Sequence, residues 1–148
     1  MRHRVSRLRL RHKPAHSNML QRNLVTSVLL YEKIRTTLKR AQVVRPQVDQ
    51  IITLAKKKDP MNAIRAINMV LTDTNASRKV MQVLKERYKN RPSGFTRIVP
   101  LGLRQGDGAK LVSLELVDSV IGSDGKAEKA VKAEKTVKKE KKVSKSSK

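Results

Sequence analysis

The residues with the clearest chemical potential are cations. Arg2, Arg4, Arg7, Arg9, Arg11 and Lys13 crowd the first thirteen positions with no acid among them. The next cation is Arg22, and the first carboxylate is Glu32. A guanidinium is planar, keeps its charge and forks two hydrogen bonds onto phosphate or carboxylate oxygens. A run of like charge with little to bury is extended and mobile in water. It gains a stable arrangement only against a polyanion.

Other chemistries fall short. His12 and His16 stand four apart, a metal-ligand spacing on a helix, but Pro14 lies between them and no further ligand pattern accompanies them. Hydrogen bonding to RNA or solvent is the plainer role for these histidines. Gly102, Gly106 and Gly108 form no phosphate loop, because no helix opening on a Lys-Ser/Thr pair follows them. They suit turns or close approach of backbone to RNA. Asp59, Asp73, Asp107 and Asp118 match caps and turns rather than an acid–base pair. Cysteine is absent, which removes disulfides, thiolate metal sites and cysteine nucleophiles and is compatible with a reducing compartment. These readings argue against an enzyme and call for no cofactor and no metal.

The formal charge is +23 over 148 residues. Such an excess predicts attraction to nucleic acid or an anionic surface. It runs through the whole chain. Residues 1–31 hold seven cations and no acid, residues 32–121 eighteen and eight, and residues 122–148 ten and four. The body, not only its ends, must therefore sit in a negative environment. No apolar run approaches the roughly 18–20 residues that span a bilayer. The N-terminus lacks the apolar core of a secretory signal. Its Arg-rich, acid-free composition mimics an organelle transit peptide, but it runs directly into a helical pattern with no cleavage-site composition between. Tyr31, Tyr88 and Phe95 are the only aromatics. That argues against stacking successive bases and favours contact with phosphates and RNA shape.

The elements that position these cations follow from periodicity. Pro14 ends the arm, and Ser17 is a plausible N-cap for a helix over about residues 18–31. Leu20, Leu24, Val28 and Tyr31 give it an apolar face, with Arg22 off that face and free to point at a partner. Glu32–Leu38 alternates like a short strand. A second helix over about 39–57 has Ala41, Val44, Val48, Ile51 or Ile52, and Ala55 inward. Pro46 inside it predicts a kink or break near Arg45. Lys56, Lys57 and Lys58 close this helix, as a solvated end or as phosphate contacts. Asp59-Pro60 starts a third helix to about Leu71, with Met61, Ile64, Ile67 and Leu71 inward. A fourth covers about 76–89 on Ala76, Val80, Leu84 and Tyr88, its remaining surface basic through Arg78, Lys79, Lys85, Arg87 and Lys89. After an NRPSG turn, residues 95–101 and 110–118 read as strands joined by a glycine-rich loop and pair antiparallel. The 32–38 strand joins them. The fold class is α+β: a two-layer domain of about four helices packed on a small three-stranded sheet, in the order α-β-α-α-α-β-β. From Gly122 onward Lys, Ala, Glu, Ser and Val repeat, which reads as a disordered or transiently helical tail.

Several separate motifs, in order and spacing, resemble one family. They are Met1-Arg2-His3-Arg4, His16, Arg22-Asn23, Glu32 through Leu38, Arg40-Ala41, Ile52 through Lys56, Arg87-Tyr88, Gly94 through Ile98, Arg104 with Gly106-Asp107, and Glu115 through Asp118. Over about residues 1–118 the chain resembles the family of the seventeenth protein of the bacterial large ribosomal subunit. Pro46, Gln42, Ser93 and Tyr31 depart from the family pattern. The resemblance implies a cytoplasmic structural component of the large (50S) subunit that acts in translation. It implies binding to 23S ribosomal RNA near the peptide exit tunnel, beside other ribosomal proteins including the thirty-second of that subunit.

The organisation expected is a basic RNA-binding extension (1–16), a globular α+β domain (17–121) and a Lys/Ala/Glu-rich tail (122–148). The residues assigned to RNA are Arg2, His3, Arg4, Arg7, Arg9, Arg11, His12, Lys13, His16, Arg22, Lys33, Arg35, Lys39, Arg40, Arg97 and Arg104. The partners expected exclude membranes and small-molecule substrates. One rival is a histone-like architectural DNA-binding protein, suggested by the Lys/Ala tail. Another is a membrane-surface protein, opposed by the single cation in residues 18–31. An RNA-modifying enzyme lacks any catalytic constellation.

Overall fold

Pro14 opens the first helix rather than merely ending the arm, because proline at the first helical position has its backbone angle preset and needs no amide donor. The structure is a computed structural model that describes Leu8, Leu10 and residues 13–118. Every described element lies within one compact unit that ends at Val117, and the expected tail at 122–148 lies outside the described residues.

The first helix, α1 (Pro14–Tyr31), starts a turn before the expected position, and Ser17 is not its N-cap. Ser17 is buried inside the helix, where its hydroxyl accepts from Gln21 Nε2 at 3.2 Å. The buried face also differs. Val25, Val28 and Leu29 form it, while Leu20 and Leu24 are half-buried and Tyr31 is exposed. The C-terminal half of α1 is apolar around much of its circumference, so periodicity alone could not orient it. Packing against α2 and the fourth helical rod set its rotation.

Glu32 ends α1 in the left-handed region, at φ 62°, with its N–H on the Val28 carbonyl at 2.8 Å. This sharp turn, unusual for a residue with a side chain, feeds directly into β1 (Lys33–Thr37). The expected strand is therefore shorter by one residue at each end.

Helix α2 (Leu38–Lys57) is the centre of the fold and touches α1, α3, the fourth rod and all three strands. Its expected stripe is buried as read, with both Ile51 and Ile52 inside. Pro46 does not break it. Both Pro46 and Gln42 are exposed, so water can take the carbonyl that loses its intrahelical donor.

Helix α3 (Pro60–Val70) begins at the expected Asp-Pro step, although Asp59 makes no side-chain cap bond. Its inward face is Ala63 and Ile67, followed by Leu71; Met61 and Ile64 are exposed. The small Ala63 lies at the contact where larger residues were expected. A short helix packed on one side can bury only a narrow stripe.

The fourth rod is α4 (Thr74–Lys79), a π-helical turn at Val80–Leu84, and α5 (Lys85–Arg87). Asp73 caps it, accepting from Asn75 N at 2.8 Å. Ala76, Val80, Leu84 and Tyr88 recur every four residues, which drifts around a 3.6-residue helix. The wider π turn takes up that drift, and all four residues are buried.

Strands β2 (Thr96–Leu103) and β3 (Lys110–Leu116) form the expected antiparallel hairpin. The sheet order is β1-β3-β2, antiparallel throughout, so the chain's last strand lies in the middle. One face of the sheet, carrying Ile34, Ile98, Val112, Leu114 and Leu116, packs into the helical core. The edge strand β2 carries Pro100, followed by a register shift to Gly102, which has φ 129°. Proline and a bulge both blunt an edge against further pairing.

Candidate nucleic-acid interface

The outer face of the sheet brings together cations that lie far apart in the chain. Strand register places Lys33 of β1 beside Glu115 of β3, and Glu115 beside Arg97 of β2. The three make one row across the sheet. The adjacent row is Arg35, Ser113 and Val99. Lys33, Arg35 and Arg97 are all exposed. Alternation of side chains along each strand puts them opposite the core face.

Glu115 holds this face in order. Its Oε1 lies 2.8 Å from Lys33 Nζ and accepts from Ser113 Oγ at 2.8 Å. The Lys33 hydrogen bond holds its carboxyl below the usual range against partial burial, helped by Ser113 and by the charges of Lys33 and Arg97. One carboxylate among three cations offsets their mutual repulsion and leaves the face positive.

Elsewhere, too, carboxylates are engaged within the fold. Glu32 is 4% exposed and binds Arg87 and Lys79. Asp49 Oδ1 accepts from Phe95 N at 3.1 Å. Asp107 accepts from Arg104 Nε at 2.8 Å in the hairpin loop, and that guanidinium holds its carboxyl well below the usual range, with the Ala109 N–H adding to the effect. With Glu32 and Asp49 held inside the fold and Asp107 paired with Arg104, these acids take little from the cationic character of the sheet face.

The expected RNA-contacting residues divide into three groups. Arg2, His3, Arg4, Arg7, Arg9, Arg11 and His12 lie outside the described residues. Lys13, His16, Lys33, Arg35, Lys39, Arg97 and Arg104 are exposed, and Arg40 is half-buried on the first turn of α2. Arg22 is turned inward. Its Nε and Nη2 donate to the carbonyls of Val70 and Met69, each at 2.9 Å, and so cap the C-terminus of α3. A position off the apolar stripe looked outward in the sequence; the arrival of α3 beside α1 gave it a protein partner.

Lys56 likewise has a structural role. It donates to the Arg91 carbonyl and stands 5.4 Å from the centroid of the Phe95 ring, within cation–π range. Lys79 and Arg87, expected on a basic outer surface, converge on Glu32. Sequence reasoning passed over Glu115 and Asp49 as organising residues. The available signal was slight: Asp49 is the one acid within α2, and Glu115 stands on the polar side of the best alternating strand. Among the described residues, no group of three His, Cys, Asp or Glu side chains could hold a metal ion, and no helix is long and apolar enough to cross a membrane.

This basic-faced α+β domain matches a known family model, described as ribosomal protein L17, over residues 20–117. The chain belongs to the ribosomal protein L17 family. A relative from Rickettsia typhi, named large ribosomal subunit protein bL17, is 39% identical over 126 residues, covering 85% of this chain and 91% of the relative. Proteins of the same name from Myxococcus xanthus and Solibacter usitatus are 42% and 44% identical over 118 and 119 residues, in each case 80% of this chain, and 84% and 79% of the relatives. The L17 match runs from α1 to the residue after β3, so it takes in the sheet face and the helices behind it. The aligned stretches of the relatives are longer than that span and extend into its flanks.

Proposed function

We propose that this protein is a structural constituent of the large ribosomal subunit, acting in translation in the cytoplasm, and that it binds 23S ribosomal RNA. The observation that carries the RNA contact is the row Lys33–Glu115–Arg97 with Arg35 beside it, a positive face assembled on a rigid sheet. Phosphate oxygens are the matching chemistry, since arginine forks fit them and counterion release drives the association. The Arg-rich segment before α1 is the second contact, ordering on the RNA as it binds. A placement near the peptide exit tunnel, beside proteins such as the thirty-second of the subunit, is part of the same proposal.

Sedimentation of a lysate on a sucrose gradient tests it. The full chain is expected to migrate with large subunits through a high-salt wash. Deleting residues 2–13 is expected to abolish incorporation while leaving a folded domain, and removing residues 122–148 to be mild. Normal incorporation without residues 2–13 would exclude the arm as a contact. Retention on duplex DNA, with no subunit association, would favour the architectural DNA-binding reading.

A further inference from the structure

The row across the outer face of the sheet is not uniformly positive. Its middle member is a carboxylate. Glu115 stands on β3, the central strand, between Lys33 of β1 and Arg97 of β2. Neighbouring strands lie about 4.8 Å apart, which holds the two flanking cations roughly 10 Å from each other at the backbone. A surface that met only phosphates would gain from a cation or a neutral residue at the central place. An acid there repels any phosphate that approaches it.

The carboxylate is only half used within the fold. Both of its contacts fall on one oxygen. Oε1 lies 2.8 Å from Lys33 Nζ and accepts from Ser113 Oγ at 2.8 Å. Among the described residues, no hydrogen bond or ion pair reaches Oε2. The Glu115 side chain is 25% exposed, whereas Ser113 is fully buried. The Lys33 hydrogen bond holds the carboxyl below its usual range, with Ser113 and the charges of Lys33 and Arg97 adding to the effect. At neutral pH the group is therefore an acceptor and never a donor. Because β3 is paired on both sides, the acceptor is carried on the most constrained strand of the sheet. What completes this face must bring a hydrogen-bond donor to a place flanked by two cations.

Ribose supplies that pattern. An RNA helix has a wide, shallow minor groove that displays 2′-hydroxyls between its phosphate backbones. A hydroxyl can donate, whereas the phosphate and sugar oxygens along a DNA backbone only accept. The minor-groove edge of an A·T pair likewise shows only acceptors. We propose that Glu115 accepts a hydrogen bond from a ribose 2′-hydroxyl of the bound RNA while Lys33 and Arg97 meet phosphates on either side, so that Glu115 is the residue by which this face tells RNA from DNA. The inference rests on the reading of RNA as the partner. Against DNA the same carboxylate stands unpaired beside phosphate, so it selects by repulsion as well as by attraction.

A cycle that changes protein and RNA together tests the contact. The full chain, as wild type, Glu115→Leu and Glu115→Gln, is titrated with an A·U RNA duplex and with the same duplex carrying 2′-fluoro sugars. The fluoro sugars keep the A-form shape and cannot donate. The A·U sequence leaves the 2′-hydroxyls as the only donors in the minor groove. Thermal melts confirm folding. Wild type is expected to bind the hydroxyl duplex about ten-fold more tightly than the fluoro duplex, as for one charged hydrogen bond. Glu115→Leu is expected to bind the two equally, and the fluoro duplex more tightly than wild type does, because a negative charge has gone. Glu115→Gln keeps a neutral acceptor, so its preference is expected to fall between, and it carries the test alone if the leucine variant does not fold. Glu86→Gln, the same charge change at an exposed acid of α5, is expected to leave the preference unchanged.

A wild type that binds both duplexes equally would overturn the contact. So would a full wild-type preference in the Glu115 variants, or an equal loss in Glu86→Gln. A glutamate that merely orders Lys33 would shift both duplexes by the same factor. A 23S ribosomal RNA transcript separates this contact from the RNA reading. If wild type binds the transcript but the cycle shows no coupling at Glu115, the hydroxyl contact falls and the RNA reading stands. If the coupling appears but the transcript binds no better than an A·T DNA duplex, the contact stands and ribosomal RNA falls as the partner.

Discussion

The two arms of the Arg87 guanidinium donate to the two carboxylate oxygens of Glu32, at 2.9 and 3.2 Å. Glu32 is buried and in a left-handed backbone conformation, and Lys79 reaches its Oε1 at 2.7 Å. The Glu32 carbonyl also accepts from Leu116 N at 2.8 Å. One residue thus joins the end of α1, the fourth rod and the middle strand. Removing the acid leaves two cations facing each other without compensation, the costly way to break a buried pair. Glu32→Gln is expected to destabilise the domain by about 2–3 kcal/mol. Lys79→Met, which leaves the Arg87 fork intact, is expected to cost about 1 kcal/mol. Urea unfolding followed by circular dichroism measures both, and a loss in Lys79→Met as large as that in Glu32→Gln would show that the Arg87 fork adds nothing.

Acid should unfold the protein through the same groups. Burial alone would raise the Glu32 pKa, but hydrogen bonds and charge from Arg87 and Lys79 outweigh it and bring it below 4.5. Glu115 is lowered from 4.5 as well, chiefly by Lys33. A folded-state pKa below the unfolded one stabilises fully above the unfolded value, and the gain is lost as pH falls through the folded value. Stability is therefore expected to hold above about pH 5 and to fall progressively below pH 4.5. The fall should be shallower in Glu32→Gln. Urea midpoints measured from pH 7 to pH 3 would expose an equal slope in the two proteins, which would assign the acid transition to other groups.

Arg22→Ala separates a structural arginine from an RNA contact. Its loss uncaps α3 by removing donors to Val70 and Met69. The expected cost is about 1–2 kcal/mol of stability, with RNA affinity and salt slope close to wild type. A lower salt slope in a variant of unchanged stability would return Arg22 to the interface.

Pro46→Ala is expected to raise stability by about 1–3 kcal/mol, since an interior proline forfeits a hydrogen bond and crowds the preceding turn. The site is exposed, so the added amide can donate to the carbonyl of Gln42 without disturbing the core. A thermal melt reads the change directly. A lower melting temperature would mean that proline's restriction of the unfolded chain outweighs the helical defect.

The chain's own pattern carried much of the fold. The buried stripe of α2, the four-residue spacing from Ala76 to Tyr88, and the β2–β3 hairpin were all legible. Each rests on local physics: side-chain periodicity, turn chemistry, or the closeness of two strands in sequence. The rotation of α1 and the inward face of α3 were not legible. Where apolar residues lie on several sides of a helix, local pattern does not choose among them, and the neighbour does.

The sequence by itself determined that the protein is cationic throughout and α+β, because charge, composition and periodicity belong to the chain before it folds. Only the tertiary structure decided which cations face outward. Arg22, Lys56, Lys79 and Arg87 turn to carbonyls or to Glu32, whereas Lys33, Arg35 and Arg97 line up across a sheet. A long basic side chain can reach an internal acceptor or solvent with equal ease. Which it does depends on acceptors brought close by contacts distant in sequence, and those exist only once the chain has folded.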